Sequence, residues 1–284
     1  MRVYVFRIAV VILTMILSAM FSQSINAQYY YKDIWNTLQL NKESIKLKNE
    51  GIKQISTKSF EDDGNPSGGF FCEKKIDKDF TFSIMKSSSY ITGNYVTVSY
   101  YNDGGQIIKV IDSSSSSVNE TLYKYERNKI KSISTLTNSS DGTPGISEEH
   151  EYFYNASGSP ERMIRRKMGT EYSIITFLTD INGNIIEENE MIKNTAGKKY
   201  FYYYDAKNRL TDVVHNSLRA NRLLPDYVYE YDQHGNISQL ISTEESSSNY
   251  FIWKYEYDDR NLRISEKCFS KERRLLGTIV FAYK

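Results

Sequence analysis

Apolar and polar positions alternate with a period of two along much of this 284-residue chain. Tyr227, Tyr229 and Tyr231 share one parity, while Val228 and Glu230 hold the other. Phe251, Trp253, Tyr255 and Tyr257 repeat this arrangement opposite Ile252, Lys254 and Glu256. Alternation of this kind places the two sets on opposite faces of a pleated strand. Tyr200, Tyr202 and Tyr204 follow suit, although Phe201 and Tyr203 make that segment apolar on both faces. The pattern predicts a succession of half-buried β-strands.

A recurring phrase punctuates these strands: Tyr-Asp, two residues, Gly-Asn, then Ile or Leu. The clearest copy runs from Tyr231 and Asp232 through Gly235 and Asn236 to Ile237. A second runs from Tyr204 and Asp205 through Asn208 to Leu210, and a third from Asp180 through Gly183 and Asn184 to Ile185. A shorter copy holds Tyr257, Asp258, Asn261 and Leu262. The anchors fall at 101, 125, 154, 179, 204, 231, 257 and 283, in steps of 24 to 29 residues. Self-similarity at a near-constant period signals a repeat. The physics of the phrase is a hairpin. Asp accepts hydrogen bonds from backbone amides two residues on, and Gly or Asn tolerates the left-handed conformation of a tight turn. Asp180, Gly183, Asn184, Asp205, Asn208, Asp232, Gly235, Asn236, Asp258 and Asn261 are therefore the candidate structural turn residues.

The first residues read differently. Arg2 and Arg7 precede an apolar run from Ile8 to Met20, followed by a polar stretch ending at Ala27. This is the layout of a secretory signal peptide over residues 1–27, cleaved after Ala27. The apolar run is short for a membrane span, which needs about 20 residues. The mature chain is thus expected to be exported to the periplasm, cell surface or extracellular space, with no integral membrane segment. Loss of Arg2 and Arg7 turns a chain of charge +1 into one of charge −1. Residues 28–50 depart from the phrase and read as a small N-terminal cap containing one helix. Residues 51–284 read as the β-hairpin repeat domain.

Composition sharpens this. Tyr occurs 24 times, whereas Ala occurs only five times after residue 27; Tyr suits pleated surfaces and Ala suits helices. The balanced charge argues against a broad nucleic-acid surface. Cys72 and Cys268 form neither a C-x-x-C motif nor a zinc spacing. Motifs for zinc proteases, serine hydrolases and phosphate-binding loops are missing from the sequence. His150 alternates in phase with Tyr152 and Tyr154 and reads as packed; His234 sits in a turn and reads as solvated. The segment Asp180–Asn184 superficially suggests a calcium loop, but Ile185 stands where such a loop requires Gly. Glu148, Glu149 and Glu151, like Glu187, Glu188 and Glu190, are expected to face solvent. The Tyr stripe reads as sheet core rather than a ligand platform. No catalytic, metal-binding or cofactor-binding residue emerges, and no cofactor is expected.

The Tyr-Asp…Gly-Asn-Ile phrase resembles the YD repeat of RHS-type proteins, and also resembles secreted repeat proteins common in Bacteroidetes, over residues 52–284. In large RHS proteins such repeats build a β shell enclosing a C-terminal toxin. This chain has too few repeats for such a shell and finishes on a strand, Ile279–Tyr283. The expectation is therefore an all-β fold: an antiparallel β-hairpin repeat of YD type forming an extended twisted sheet. Its expected function is that of an exported non-enzymatic binding or structural module with an unknown protein or glycan as partner. The alternative is an accessory or remnant RHS-like element associated with a toxin or secretion system. An open sheet of about seven repeats spans on the order of 70 Å. It thereby forbids a Cys72–Cys268 disulfide, which requires Cα atoms within roughly 7 Å. Its bare last strand would be free to pair with another chain.

Overall fold

The computed structural model describes residues 29–143, 145–217, 221–244 and 249–284. The expected leader, 1–27, and its cleavage point lie outside the described residues. Among the described residues one helix, α1 (Tyr31–Asn49), comes first. Six strands follow: β1 (Gln54–Glu61), β2 (Phe71–Ile76), β3 (Phe82–Ser89), β4 (Gly93–Tyr101), β5 (Ile107–Ser113) and β6 (Ser117–Glu126). The next six are β7 (Lys129–Ser139), β8 (Ile146–Tyr154), β9 (Pro160–Lys167), β10 (Thr170–Thr179), β11 (Ile185–Ile192) and β12 (Thr195–Tyr204). The last six are β13 (Leu210–Ser217), β14 (Arg222–Tyr231), β15 (Ile237–Thr243), β16 (Tyr250–Tyr257), β17 (Arg263–Phe269) and β18 (Leu275–Tyr283).

Each strand pairs antiparallel with its chain neighbours, and β18 pairs with β1 from Ile55↔Tyr283 to Glu61↔Gly277. The eighteen strands thus form a closed up-and-down barrel. This corrects the expected extended sheet, and with it the YD and RHS reading: the last strand is not bare but finds its partner in the same chain. The physical cause lies beside each Asp turn. Tyr231 pairs with Ile237 while Glu230 pairs with Gln239, so the return strand carries one extra residue. The same register shift recurs at Tyr101, Tyr125, Tyr154, Thr179, Tyr204 and Tyr257. A bulge increases local twist and bends its strand. Seven bulges on one rim all bend the sheet alike, and closure then removes both edges.

Tyr residues hold neighbouring hairpins together. Tyr231 Oη donates to the Leu210 carbonyl at 2.7 Å, Tyr257 to Ile237 at 2.8 Å, and Tyr283 to Arg263 at 2.6 Å. Tyr125, Tyr154 and Tyr204 make the equivalent bonds to Ile107, Ile130 and Ile185. Within a turn, Asp232 Oδ1 accepts from the amides of His234 and Asn236, and Asp180, Asp205 and Asp258 do likewise. Gly183 and Gly235 take φ of +83° and +88°, and Asn208 and Asn261 take +58° and +56° at the corresponding positions.

A barrel of this strand number encloses a wide lumen. Here α1 lies inside it. Tyr29 packs its ring 5.8 Å from those of Tyr200 and Tyr227, Tyr31 sits 5.1 Å from Tyr202, and Trp35 sits 5.3 Å from Tyr229. The residues read as an N-terminal cap therefore fill the lumen. Outward positions instead carry cross-strand ion pairs: Lys109–Glu120 at 3.0 Å, Lys131–Glu151 at 3.1 Å, Lys199–Glu187 at 2.8 Å and Lys267–Glu256 at 2.8 Å. Such exposed pairs add little stability, but they place charges on an outer wall that also exposes Leu122, Leu178, Ile186 and Tyr203. Cys72 and Cys268 are both buried free thiols. β18 and β1 stand between their strands, which separates them by roughly 14 Å at the usual strand spacing, so closure and free thiols coexist.

Replacing Gly235 with Val should destabilise the fold by about 1 kcal/mol or more, since a β-branched residue is strained at that φ. Tyr231→Phe, which loses one partly buried hydrogen bond, should cost about 1 kcal/mol. Denaturant unfolding of the two variants checks both; an unchanged midpoint for Gly235→Val would contradict the turn geometry.

Candidate functional site

The first amides of any helix lack partners and lie at its positive end. In α1 the N-cap residue, Tyr30, offers no capping side chain. The barrel wall supplies the cap instead. Glu188, on β11, accepts from the Tyr30 amide at 2.8 Å and the Tyr31 amide at 2.9 Å, and Tyr202 Oη donates to it at 2.7 Å. Only 1% of Glu188 is exposed. Burial pushes its carboxyl up to about 7, against the lowering effect of these donors.

A second set of contacts fastens the first turn. Asp33 accepts from Tyr152 Oη at 2.9 Å and meets His150 Nδ1 at 2.6 Å. His150 Nε2 meets Glu148 at 2.8 Å. Arg165 grips Glu148 through Nε and Nη2 at 2.9 and 2.8 Å, and its Nη1 donates to Tyr30 Oη. Burial by itself would lower the His150 pKa, but the Asp33 and Glu148 carboxylates outweigh it and raise the imidazole to about 9. Burial would raise Glu148; its bonds from His150 and Arg165 hold it at about 2 instead. His150 is thus an imidazolium at neutral pH, clamped between two carboxylates. Most partners of His150, Glu148, Asp33 and Arg165 are one another, with Tyr152, Tyr30 and Lys167 completing the set. Such a network fastens the helix to the wall. Among the described residues, no three His, Cys, Asp or Glu side chains gather as a metal site.

Between α1 and the wall remains a cavity of about 1270 Å³. One polar stripe of the helix borders it, with Lys32, Asn36, Gln39, Glu43 and Lys46 at spacings of three and four residues. Aromatic wall residues, including Tyr227 and Tyr255, and both tryptophans of the sequence, Trp35 and Trp253, border the same space. Leu38 is 48% exposed although its helix lies within the barrel, so water reaches the lumen. Among the charged side chains on its border, Lys74 pairs with Glu43 at 3.6 Å and Arg263 with Glu266 at 2.8 Å.

The candidate turn residues lie at the rim toward which α1 points its C-terminus. Lys46 donates to the Asn261 carbonyl, and Lys48 to that of Asp103 at 3.2 Å. Asn184, Asn208, Gly235, Asn236 and Asn261 border the cavity, whereas the carboxylates of Asp180, Asp205, Asp232 and Asp258 bond their own turns. The acidic groups expected to face solvent divide by parity. Glu149, Glu151 and Glu187 point outward, but Glu148, Glu188 and Glu190 point into the lumen, to His150, α1 and Tyr30. The available signal was phase: Glu148 alternates with His150 and Tyr152, so it belongs on the aromatic face. Asp33 and Arg165 carried no comparable signal.

No protein-family model matches the chain, and no curated protein matches it. Among solved structures it is similar to a porin-like protein from Bacteroides uniformis, at 11% identity and a TM-score of 0.39, covering 82% of this chain and 98% of that one. It is also similar to a porin-like protein from Bacteroides vulgatus, at 11% identity and a TM-score of 0.29, with the same coverage. A third likeness is to the Photorhabdus luminescens Tc holotoxin pore, at 10% identity and a TM-score of 0.30; it covers 84% of this chain but 17% of that one. At such scores no functional conclusion follows from these likenesses.

The network has a pH signature. The His150 pKa is higher folded, at about 9, than the ordinary imidazole value of 6.5. Its contribution to stability is therefore full below pH 6.5 and is lost as pH rises through 9. The raised Glu188 pKa acts in the same direction between the ordinary carboxyl value of 4.5 and about 7. Melting temperature should fall between pH 6.5 and 9 in the native protein. In His150→Gln it should start lower and decline less over that interval; parallel profiles would contradict the clamp.

Proposed function

We propose that this chain is an exported, non-enzymatic barrel that works as a binding module in water rather than as a conducting pore. The observation that carries the reading is the direction of its two faces. A membrane-spanning barrel turns an apolar band outward and a polar face inward. Here ion pairs such as Lys109–Glu120 and Lys199–Glu187 lie outside, and the buried aromatic stripe, Tyr152, Tyr200, Tyr202 and Tyr229, lies inside. An outward Lys or Arg at mid-bilayer costs about 2–4 kcal/mol, which disfavours this wall in lipid. The helix occupies part of the lumen, and the cavity beside it leaves room for a ligand. Export rests on the basic, apolar and polar layout of residues 1–27.

Expression of the full-length chain in a secreting bacterial host tests the reading. The exported protein should begin at Gln28 and stay in the aqueous phase on detergent phase separation. A product beginning at Met1, or one that enters the detergent phase, would overturn it.

A further inference from the structure

We propose that the lumen cavity binds a neutral oligosaccharide of several rings, held between the polar stripe of α1 and the tyrosines of β14 and β16. The inference rests on reading the barrel as a binding module. It follows from the chemistry of what borders the space. Pockets for drug-sized ligands measure roughly 300–1,000 Å³; at about 1270 Å³ this one holds more than a single sugar ring. Asn36 and Gln39 lie one helical turn apart on its border, and their side-chain amides make no hydrogen bond among the described residues. The hydroxyls of Tyr227 and Tyr255, also on the border, likewise make none among the described residues. Each amide offers donors and an acceptor, and each hydroxyl offers both functions.

A sugar hydroxyl is likewise donor and acceptor together, so a polyhydroxyl ligand can satisfy the whole set. The apolar face of a pyranose ring stacks on aromatic rings; Tyr227, Tyr255 and Trp35 border the space, with Arg263 over Tyr255 at 4.5 Å and Tyr229 packed against Tyr227 and Trp35, so a ligand uses the ring surface those neighbours leave. An acyl chain fits less well, because it would leave these amides and hydroxyls desolvated without partners. Charge argues for neutrality. Glu43, Glu266 and Asp205 pair with Lys74, Arg263 and Arg209, the charges of Asp33, Glu188 and Glu148 favour the Lys32 ammonium, Lys46 bonds the Asn261 carbonyl, and Lys42 is exposed to water.

Both tryptophans border the cavity, so intrinsic fluorescence reports on its contents. The mature barrel is titrated with maltohexaose, cellohexaose, laminarihexaose and chitohexaose, and separately with oleate. At least one hexasaccharide should shift the emission saturably. Asn36→Ala combined with Gln39→Ala should weaken that binding about tenfold or more while leaving the melting temperature within the range of surface variants. Lys254→Ala, on the outer wall, should bind as the native protein does. No saturable response to any hexasaccharide, saturable binding of oleate alone, or unchanged affinity in the folded double variant would each overturn the proposal. None of these outcomes alters the aqueous partition or the N-terminus at Gln28, so export and a water-facing wall stand or fall separately.

Discussion

The pairing of β18 with β1 is the constraint on which the rest of the structure depends. An antiparallel meander left open exposes two rows of unpaired amides and carbonyls, one on each edge. Seven residue pairs, Ile55↔Tyr283 to Glu61↔Gly277, remove both rows at once. Closure also creates an interior. The parity that carries Tyr152, Tyr202 and Tyr229 then turns inward on every side, and a ring of this size must be filled or flooded. The chain does both: α1 packs against the aromatic arc from β8 to β14, and the space beside it stays open to water.

Helix and wall need each other. An isolated helix of this length is marginal in water, and α1 has no side-chain cap of its own. Glu188 terminates it from 158 residues away, and the His150 clamp fixes its first turn. In return, the helix segment brings Tyr29, Tyr30 and Tyr31 against the wall tyrosines, in a lumen that eighteen strands could not fill with wall side chains alone. Removing one member of such a buried ionic set leaves its partners desolvated and uncompensated, which costs more than the pair contributes.

The local architecture was legible because it is written in short spacings. Alternating tyrosines give strand faces, and Asp232 followed by Gly235 and Asn236 gives a turn whose chemistry is complete within seven residues. Closure was not legible. It arises from the single extra residue after each turn, as at Ser238 between Ile237 and Gln239, and one residue within a step that already varies from 24 to 29 leaves no distinct mark. The lumen network was half legible. Glu148 and His150 share a parity with Tyr152, but the solvent preference of carboxylates masked it. Their partners Asp33 and Arg165 come from segments with no sequence relation to them. The family resemblance pulled in the wrong direction, because a phrase that fixes a hairpin does not fix how many hairpins close a ring.

The most direct measurement is a cross-link at the seam. Ser56 and Ala282 lie directly opposite each other on β1 and β18, at a separation of about 4.5–5.5 Å between Cα atoms for paired antiparallel residues. The variant carrying Ser56→Cys and Ala282→Cys is oxidised, and its peptides are mapped by mass spectrometry without reduction. A closed barrel predicts a disulfide joining positions 56 and 282 within the monomer. Two free thiols at those positions, or a bond found only in a cross-linked dimer, would contradict closure.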